Sequence, residues 1–205
     1  MTIRIDPATD CLGLIDVQPT FMPGGGLAVA EGDLVVPVIN RILPLFALAF
    51  ATQDWHPPDH MSFAENHPGA APFSAIDMAY GPQVLWPAHC VIGTAGAAFH
   101  PDLAVDRADL VIRKGFRAQI DSYSAFFEND HQTSTGLAGY LRDRDLTELS
   151  FVGLAHDFCV SWSAIDAAGL GFRATVLEAA TRAIDLNGSR DAARDAMRMA
   201  GVILA

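Results

Sequence analysis

Four side chains that can do chemistry each stand at or just after the end of a predicted strand. Asp16 closes the run GLID, Asp54 follows FATQ, and Lys114 closes LVIRK. Cys159 follows a fourth apolar run, in GLAHDFC. Open α/β sheets bind ligands at the carboxyl ends of their parallel strands, so we expect these four groups on one rim. A thiol, carboxylates and an ammonium group can together provide a nucleophile and a general base.

Cys159 is the predicted nucleophile of this group. It opens a predicted helix, where the helix dipole and Lys114 are expected to lower the pKa of the thiol and to favour the thiolate. Asp16 is placed to take the thiol proton as general base. The alternative is that Cys159 is a small core residue, as most free cysteines are. We prefer that alternative for Cys11, which lies early in a strand.

A second group of ligating side chains occupies D-W-H-P-P-D-H at 54–60 and W-P-A-H-C at 86–90. Asp54 and His56 alternate in an extended segment, so both side chains point to the same side. With His60, in the spacing D-x-H-x₃-H, or with His89, they offer a carboxylate and two imidazoles, a usual ligand set for Zn²⁺ or another divalent transition metal. Surface histidines are the alternative, His60 stays an open question, and Cys90 is a less simple choice than His89. The other histidines are expected to be structural or exposed: His67, His100, His131 and His156.

The order of apolar runs predicts an α/β fold, a three-layer α/β/α sandwich with a mainly parallel sheet of about six strands. The predicted strands are Cys11–Val17, Leu48–Thr52, Leu110–Arg113, Leu149–Gly153, Ala174–Leu177 and Val202–Leu204. Periodicity and capping residues predict four helices. The first follows Asp33 and runs to about Ala47, and the second covers Leu137–Arg142 after the caps Ser134 and Thr135. The third runs from about Cys159 to Ala168, and the fourth follows Ser189 and ends before Gly201.

Residues 54–109 break this alternation of strands and helices. They contain seven of the twelve prolines and five of the seven histidines. A loop of this length inside a compact domain is usually functional or disordered, and its aromatic residues favour an ordered, functional one. No repeat or linker divides the chain, so we predict one domain over residues 1–205 that carries a metal- and substrate-site loop region at about 54–109.

The composition excludes several classes of protein. With 13 basic and 24 acidic residues the formal net charge is −11, which argues against a nucleic-acid or anionic-membrane partner. A hydrophobic fraction of 51% argues against disorder. Three cysteines, no signal-peptide core and no unbroken apolar run of membrane length predict a cytoplasmic protein without a disulfide framework.

These motifs together resemble a known family. The segments D-V-Q with Phe21, D-W-H-P-P-D-H, W-P-A-H-C, the lysine of R-K-G, and G-L-A-H-D-F-C-V occur in that order between about residues 12 and 165. They look like the nicotinamidases (pyrazinamidases) of the isochorismatase-like cysteine hydrolase superfamily. The Asp/Lys/Cys set is shared across the superfamily, whereas D-W-H with W-P-x-H-C is more specific, because many members lack the metal site.

The resemblance implies a complete site. Its residues would be a triad of Asp16, Lys114 and Cys159, metal ligands Asp54, His56 and His89, an oxyanion hole from the N–H groups of Ala155 and Cys159, and substrate walls Phe21 and Trp86. It also implies a cis peptide between Leu154 and Ala155, and a divalent metal, with Zn²⁺ expected and Fe²⁺ or Mn²⁺ as alternatives. The chain departs from the family pattern at His156 and Phe158, which bears on the mouth of the site and on substrate breadth.

The activity that the resemblance implies is hydrolysis of nicotinamide, and also of pyrazinamide, through a cysteine thioester in NAD salvage. A small-molecule substrate and a homo-oligomer are expected, with no nucleic-acid or membrane partner. Three alternatives stay open: the same chemistry on a carbamoyl or ureido compound, a binding module with a structural metal, and a metal-dependent hydrolase without a role for Cys159.

Overall fold

The computed structural model describes residues 5–6 and 8–205. Its strands are β1 (Asp10–Ile15), β2 (Leu48–Asp54), β3 (Ala75–Met78), β4 (Gly81–Val84), β5 (Leu110–Lys114), β6 (Glu148–Leu154), β7 (Arg173–Arg182) and β8 (Ile203–Leu204). Six of them form one sheet in the order β5-β2-β1-β6-β7-β8, and every neighbouring pair is parallel. The predicted α/β fold is confirmed, with a main sheet that is wholly parallel.

The described residues also form four α-helices, α1 (Val35–Ile42), α2 (Leu137–Arg142), α3 (Ser161–Gly169) and α4 (Ser189–Met199). Helix α1 packs against β6 and β7, α3 packs against β7 and α4, and α4 also packs against β8. No helix in the described part of the chain combines the length and the apolarity that a membrane crossing needs.

The central strands are apolar because they are covered on both faces. Every residue of β1 is buried, as are six of the seven residues in β2 and in β6, whereas the edge strand β5 alternates between half-buried and exposed positions. Gly13 is required in β1, because a Cβ there would lie 2.6 Å from the Phe50 ring. The Phe50 ring in turn packs edge-on against Phe151 of β6, with 6.3 Å between the ring centroids. The absence of a side chain at Gly13 therefore leaves room for the Phe50 ring of β2 against β1.

Several predicted boundaries are wrong for identifiable reasons. The first helix ends at Ile42 and not near Ala47, because a 3₁₀ turn that contains Pro44 follows it and proline lacks the N–H that a helix interior needs. Strand β7 continues to Arg182, five residues beyond the predicted end, because a register shift lets it keep pairing with β6 past Gly153.

The helix starts also differ from the predictions. Gly136 and Gly188, both in left-handed conformation, are the N-cap residues of α2 and α4, where serine and threonine caps were predicted. Cys159 does not open an α-helix; it lies in a π-helical turn, His156–Val160, that precedes α3. The predicted long loop 54–109 contains the β3–β4 hairpin, whose first strand is largely exposed and therefore lacks an apolar signal.

Candidate active site

The carboxyl ends of four adjacent strands carry the predicted reactive groups. Lys114 is the last residue of β5, Asp54 the last of β2, Asp16 follows β1, and Ala155 follows β6. The sheet order β5-β2-β1-β6 places these ends side by side, and the turn after β6 brings Cys159 over them. The rim expected from the strand-end pattern is therefore present.

Lys114 lies at the centre of this rim and is almost completely buried. Its Nζ is 2.8 Å from Asp16 Oδ2 and 3.4 Å from Cys159 Sγ. The same ammonium donates hydrogen bonds to the Asp54 carboxylate and to the carbonyl of Ser122, the latter at 2.9 Å. The carboxylate oxygens of Asp16 and Asp54 and the sulfur of Cys159 lie within 4.8 Å of one another. The three residues of the predicted triad are thus in mutual contact.

Thr52 of β2 orients Asp16. Its hydroxyl donates to Asp16 Oδ1 at 2.7 Å and accepts the Asp16 backbone N–H at 3.1 Å. Asp16 has a φ of 47°, a left-handed conformation that few non-glycine residues adopt. These two hydrogen bonds hold the carboxylate toward Lys114. Thr52 was absent from the predicted site because a strand threonine carries no sequence signal of such a role.

Burial decides the direction of the pKa shifts of Asp16 and Cys159, whereas the neighbouring carboxylates decide that of Lys114. It raises the pKa of Asp16 above its usual value, although the charge of Lys114 opposes the rise. It also raises the pKa of the Cys159 thiol well above its usual value against the same opposing charge. Burial would lower the pKa of Lys114, but Asp16 and Asp54 raise it well above its ordinary value. The expectation of a resting thiolate at a helix start was therefore wrong: the arrangement favours a neutral thiol beside a charged lysine.

Asp54, His56 and His89 form a second buried cluster next to the triad. The Nε2 atoms of His56 and His89 are 3.5 and 3.6 Å from the same oxygen, Asp54 Oδ2. Burial would raise the pKa of Asp54, but Lys114 and the two imidazoles hold it well below its usual value. An ionised carboxylate therefore faces two ring nitrogens.

Hydrogen bonds to carbonyl groups set the tautomers of these two histidines. His56 Nδ1 is 2.8 Å from the carbonyl oxygen of Gly115, and His89 Nδ1 is 2.9 Å from that of Pro87. A carbonyl only accepts, so each Nδ1 carries the proton and each Nε2 keeps its lone pair. His56 Nε2 is a buried atom without a hydrogen-bond partner among residues 5–6 and 8–205. This donor set fits a divalent metal of the zinc type, and the carbonyl contacts are the usual support for metal-bound imidazoles.

His60 has the opposite tautomer. Its Nδ1 accepts the backbone N–H of Ser62 at 3.2 Å and lies 2.7 Å from the Ser62 hydroxyl, so its proton belongs on Nε2, which faces the carbonyl of Ile120 at 3.3 Å. Burial, helped by the neighbouring His56, lowers the pKa of His60 to about 4. Although its ring lies 4.4 Å from that of His56, neutral His60 offers no free lone pair.

Gly115 allows His56 to approach the end of β5. It has a φ of +66°, and a Cβ at this position would lie 2.3 Å from Cε1 of the His56 ring. The glycine of R-K-G therefore makes room for the imidazole and supplies the carbonyl that orients it.

A cavity opens beside the sulfur of Cys159. Predicted walls Phe21 and Trp86 line it, and Trp86 packs at right angles against Phe158, with 4.8 Å between ring centroids. Trp86 Nε1 donates to the hydroxyl of Tyr123 at 3.0 Å, which holds the indole in place. The other lining residues are Leu27, Asp54, His89, Asp121, Tyr123, Ala155, Cys159 and Ile184. The cavity is mostly aromatic and aliphatic, with the reactive groups on one side.

The sequence pattern had missed four of these lining residues: Leu27, Asp121, Tyr123 and Ile184. Asp121 and Tyr123 lie in a segment without regular structure, and Ile184 follows an extension of β7 that was not predicted. The peptide bond between Leu154 and Ala155 is cis, as the resemblance implied.

The histidines expected outside the site lie elsewhere. His67 contacts the carbonyl of Met61 through Nε2, His100 accepts the N–H of Asp102, and the exposed ring of His131 stacks on Trp162. His156 is buried, with Nδ1 3.0 Å from the hydroxyl of Thr181. None of these four rings lines the cavity.

Comparison with known proteins agrees with this geometry. The Isochorismatase domain family model matches residues 10–205. The nicotinamidase of Acinetobacter baylyi is 51% identical over 203 residues, which cover 98% of this chain and 95% of that protein. The solved structure of the Acinetobacter baumanii nicotinamidase/pyrazinamidase superposes with a TM-score of 0.96 at 52% identity, covering 98% of this chain and 97% of the other.

Two further similar structures are described as complexes with a ligand or a metal. The protein PnC1 from L. infantum, described in complex with nicotinate, has a TM-score of 0.87 and 38% identity over 100% of this chain and 96% of its own. The pyrazinamidase of Pyrococcus horikoshii, described in complex with zinc, has a TM-score of 0.77 and 32% identity over 96% and 98% of the two chains.

Proposed function

Because this chain belongs to the nicotinamidase and pyrazinamidase family of the isochorismatase-like hydrolases, we propose that it hydrolyses nicotinamide to nicotinate and ammonia through a thioester on Cys159. One observation carries the residue assignment: buried Lys114 contacts both Asp16 and Cys159 beside an aromatic cavity. Pyrazinamide, whose ring has the same size, is the second proposed substrate, and the place of the reaction is NAD salvage.

Substrate binding uses the cavity walls. Phe21 and Trp86 would hold the flat ring between them, and their apolar surfaces would exclude water from the reacting carboxamide. Asp54, His56 and His89 would hold a divalent metal, for which we propose zinc, with Fe²⁺ and Mn²⁺ as the other candidates. When bound, such a metal supplies a Lewis acid toward the ring nitrogen of the substrate. His60 is outside the proposed ligand set because its tautomer leaves no lone pair free.

The first half of the reaction forms the thioester. Asp16 accepts the proton of the Cys159 thiol as the sulfur attacks the carboxamide carbon, and Lys114 keeps its positive charge beside both groups. The raised pKa of Asp16 suits a group that must take a proton and give it back. The N–H groups of Ala155 and Cys159 would bind the developing oxyanion, where one donor contributes about 10²–10³ in rate. Asp16 then protonates the leaving nitrogen, the C–N bond breaks, and ammonia departs.

The second half releases the acid. Asp16, again ionised, accepts a proton from the water that attacks the thioester carbon, and the C–S bond breaks to free nicotinic acid, which gives its proton to the solvent and becomes nicotinate. The proton held on Asp16 returns to the sulfur, so the thiol, the carboxylate and the ammonium end in their starting states. One water is consumed and one ammonia formed in each cycle.

Replacing the nucleophile tests this proposal. Cys159→Ala should reduce ammonia release from nicotinamide by at least about 10⁴-fold, because the remaining groups cannot form the thioester. The matched control is Cys11→Ala, which alters an equally buried cysteine in β1 and should keep turnover. Retained turnover in Cys159→Ala would refute the cysteine mechanism and favour a metal-dependent hydrolase.

Two further proposals concern the setting of the enzyme. We propose that it works in the cytoplasm, because the thiol of Cys159 must stay reduced for the reaction; cell fractionation followed by the ammonia assay tests this. We also propose that the chain forms a homo-oligomer, which light scattering on the purified protein tests.

A further inference from the structure

The connection between β7 and α4, residues 183–188, carries one wall of the substrate cavity. Ile184 lines the cavity beside Cys159. It also lines a second, open groove, together with other residues of the connection such as Ala183 and Asp185. Ile184 therefore borders both the substrate cavity and the groove.

The Asp157 carboxylate holds this connection in place. Asp157 Oδ1 accepts the backbone N–H of Ile184 at 3.0 Å, and Oδ2 accepts that of Asp185 at 2.8 Å. The hydroxyl of Ser189, the first residue of α4, donates to the same Oδ2. The carboxylate is 5% exposed, so these bonds are largely shielded from water. Three donors of the connection and the helix start thus converge on one side chain.

The connection needs such support because its backbone is unfavourable. Asp185 and Asn187 have φ values of 56° and 52°, and Gly188 follows with 85°. Left-handed conformations of non-glycine residues persist where the surroundings impose them. Without the carboxylate, the N–H groups of Ile184 and Asp185 would also lose their acceptor.

Asp157 ties this wall to the catalytic turn. It lies two residues before Cys159 in the π-helical turn His156–Val160. We propose that Asp157 is a positioning residue that holds Ile184 against the substrate cavity and so limits the size of the aromatic amide that the enzyme accepts. The choice of substrate in this inference rests on the proposed amidase function. The hydrogen bonds from which the inference is argued do not depend on that function.

Amide hydrogen exchange tests the positioning role without any turnover. In Asp157→Asn one of the two acceptor oxygens becomes an NH₂ group that faces N–H donors, so the amides of Ile184 and Asp185 should exchange at least about 10-fold faster. Ser189→Ala removes a single hydrogen bond of the three and should give a smaller increase in the same amides. Because Ser189 lies outside the catalytic turn, Ser189→Ala still tests the positioning role if Asp157→Asn does not fold.

Substrate size tests the specificity role. The substrates are nicotinamide and the four isomers of nicotinamide methylated on a ring carbon. The measured quantity is kcat/KM for each methylated isomer relative to that for nicotinamide. Ile184→Ala should raise this ratio about 10-fold or more for the isomer whose methyl group meets Ile184, since one methylene in a pocket changes discrimination by at least that factor. Asp157→Asn and Ser189→Ala should raise the ratio for the same isomer, mainly through KM. The control is Ile165→Ala, an equal truncation of a half-buried residue on α3 outside the cavity.

The outcomes separate this inference from the proposed function. Unchanged exchange at Ile184 and Asp185 in both variants, or an unchanged isomer ranking in Ile184→Ala, overturns the inference. A parent enzyme that releases no ammonia from nicotinamide overturns the proposed function instead, while the exchange measurement still decides whether Asp157 holds the connection.

Discussion

Removing the Thr52 hydroxyl should move the pH dependence of catalysis. Thr52→Val keeps the shape of a completely buried side chain but deletes the donor that lies 2.7 Å from Asp16 Oδ1. That hydrogen bond lowers the pKa of Asp16 against the rise caused by burial. Its loss therefore raises the Asp16 pKa further, and the base is ionised only at higher pH.

The size of the shift follows from the strength of the bond. A hydrogen bond to a charged group contributes about 1.5–3 kcal/mol, and one pKa unit corresponds to about 1.4 kcal/mol. The acidic limb of kcat/KM should therefore move up by about 1–2 pH units, with activity partly recovered at alkaline pH. Because Asp16, Lys114 and Cys159 interact closely, the limb reports the coupled group as a whole.

The assay is the pH profile of ammonia release from nicotinamide. Thr175→Val, which removes a hydroxyl from β7 away from the cavity, is the matched control and should keep the parent profile. If Thr52→Val lowers activity equally at every pH without moving the acidic limb, Asp16 is not the base whose ionisation limits the reaction.

Three more predictions concern the metal cluster and the lysine. Gly115→Ala places a Cβ 2.3 Å from the His56 ring and should weaken zinc binding at least about 10-fold, as measured by chelator competition. The control is Gly136→Ala, at a glycine that is also left-handed but lies in open space, and it should keep the parent affinity. Equal zinc affinities of the two variants would contradict the role of Gly115. Burial would lower the pKa of His56, but the Asp54 carboxylate raises it above the usual 6.5. Protons should therefore compete with the metal, and zinc affinity should fall as the pH drops below that raised pKa. A zinc affinity that stays constant between pH 8 and 6 would contradict this prediction. Lys114→Met leaves buried carboxylates unpaired and should cost about 3–5 kcal/mol in the free energy of unfolding, measured by urea denaturation; parent-like stability would show that the ion pairs contribute little.

Strand positions were predictable where the strands are buried on both faces. Strand β2 begins at Leu48 as predicted, and β1 and β6 begin one residue before the predicted Cys11 and Leu149, because a central parallel strand must be continuously apolar. The Ala75–Met78 strand was missed, since an exposed hairpin needs no apolar run. The extension of β7 to Arg182 depends on a register shift against β6, which no local pattern contains.

Helix ends were less predictable, because capping depends on which side chains are free to cap. Ser189 looked like an N-cap, but its hydroxyl donates to Asp157, and Gly188 occupies the cap position. Cys159 looked like the first residue of a helix, but it lies in a π-helical turn where burial controls its pKa. In each case a contact distant in sequence outweighed the local preference.

The sequence alone determined which reactive residue types stand at the strand ends, because alternating strands and helices place those ends on one rim whatever the details of packing. It therefore identified Asp16, Lys114 and Cys159 as a group, and the Asp54, His56 and His89 cluster through its motifs. Only the tertiary structure decided how these groups are charged and oriented. Burial, carbonyl contacts such as that from Gly115, and the Thr52 hydroxyl set the protonation of the site, and each depends on atoms far apart in the chain. The hydrogen bond from the Ile184 N–H to Asp157 belongs to the same class, because it joins residues 27 positions apart in the chain.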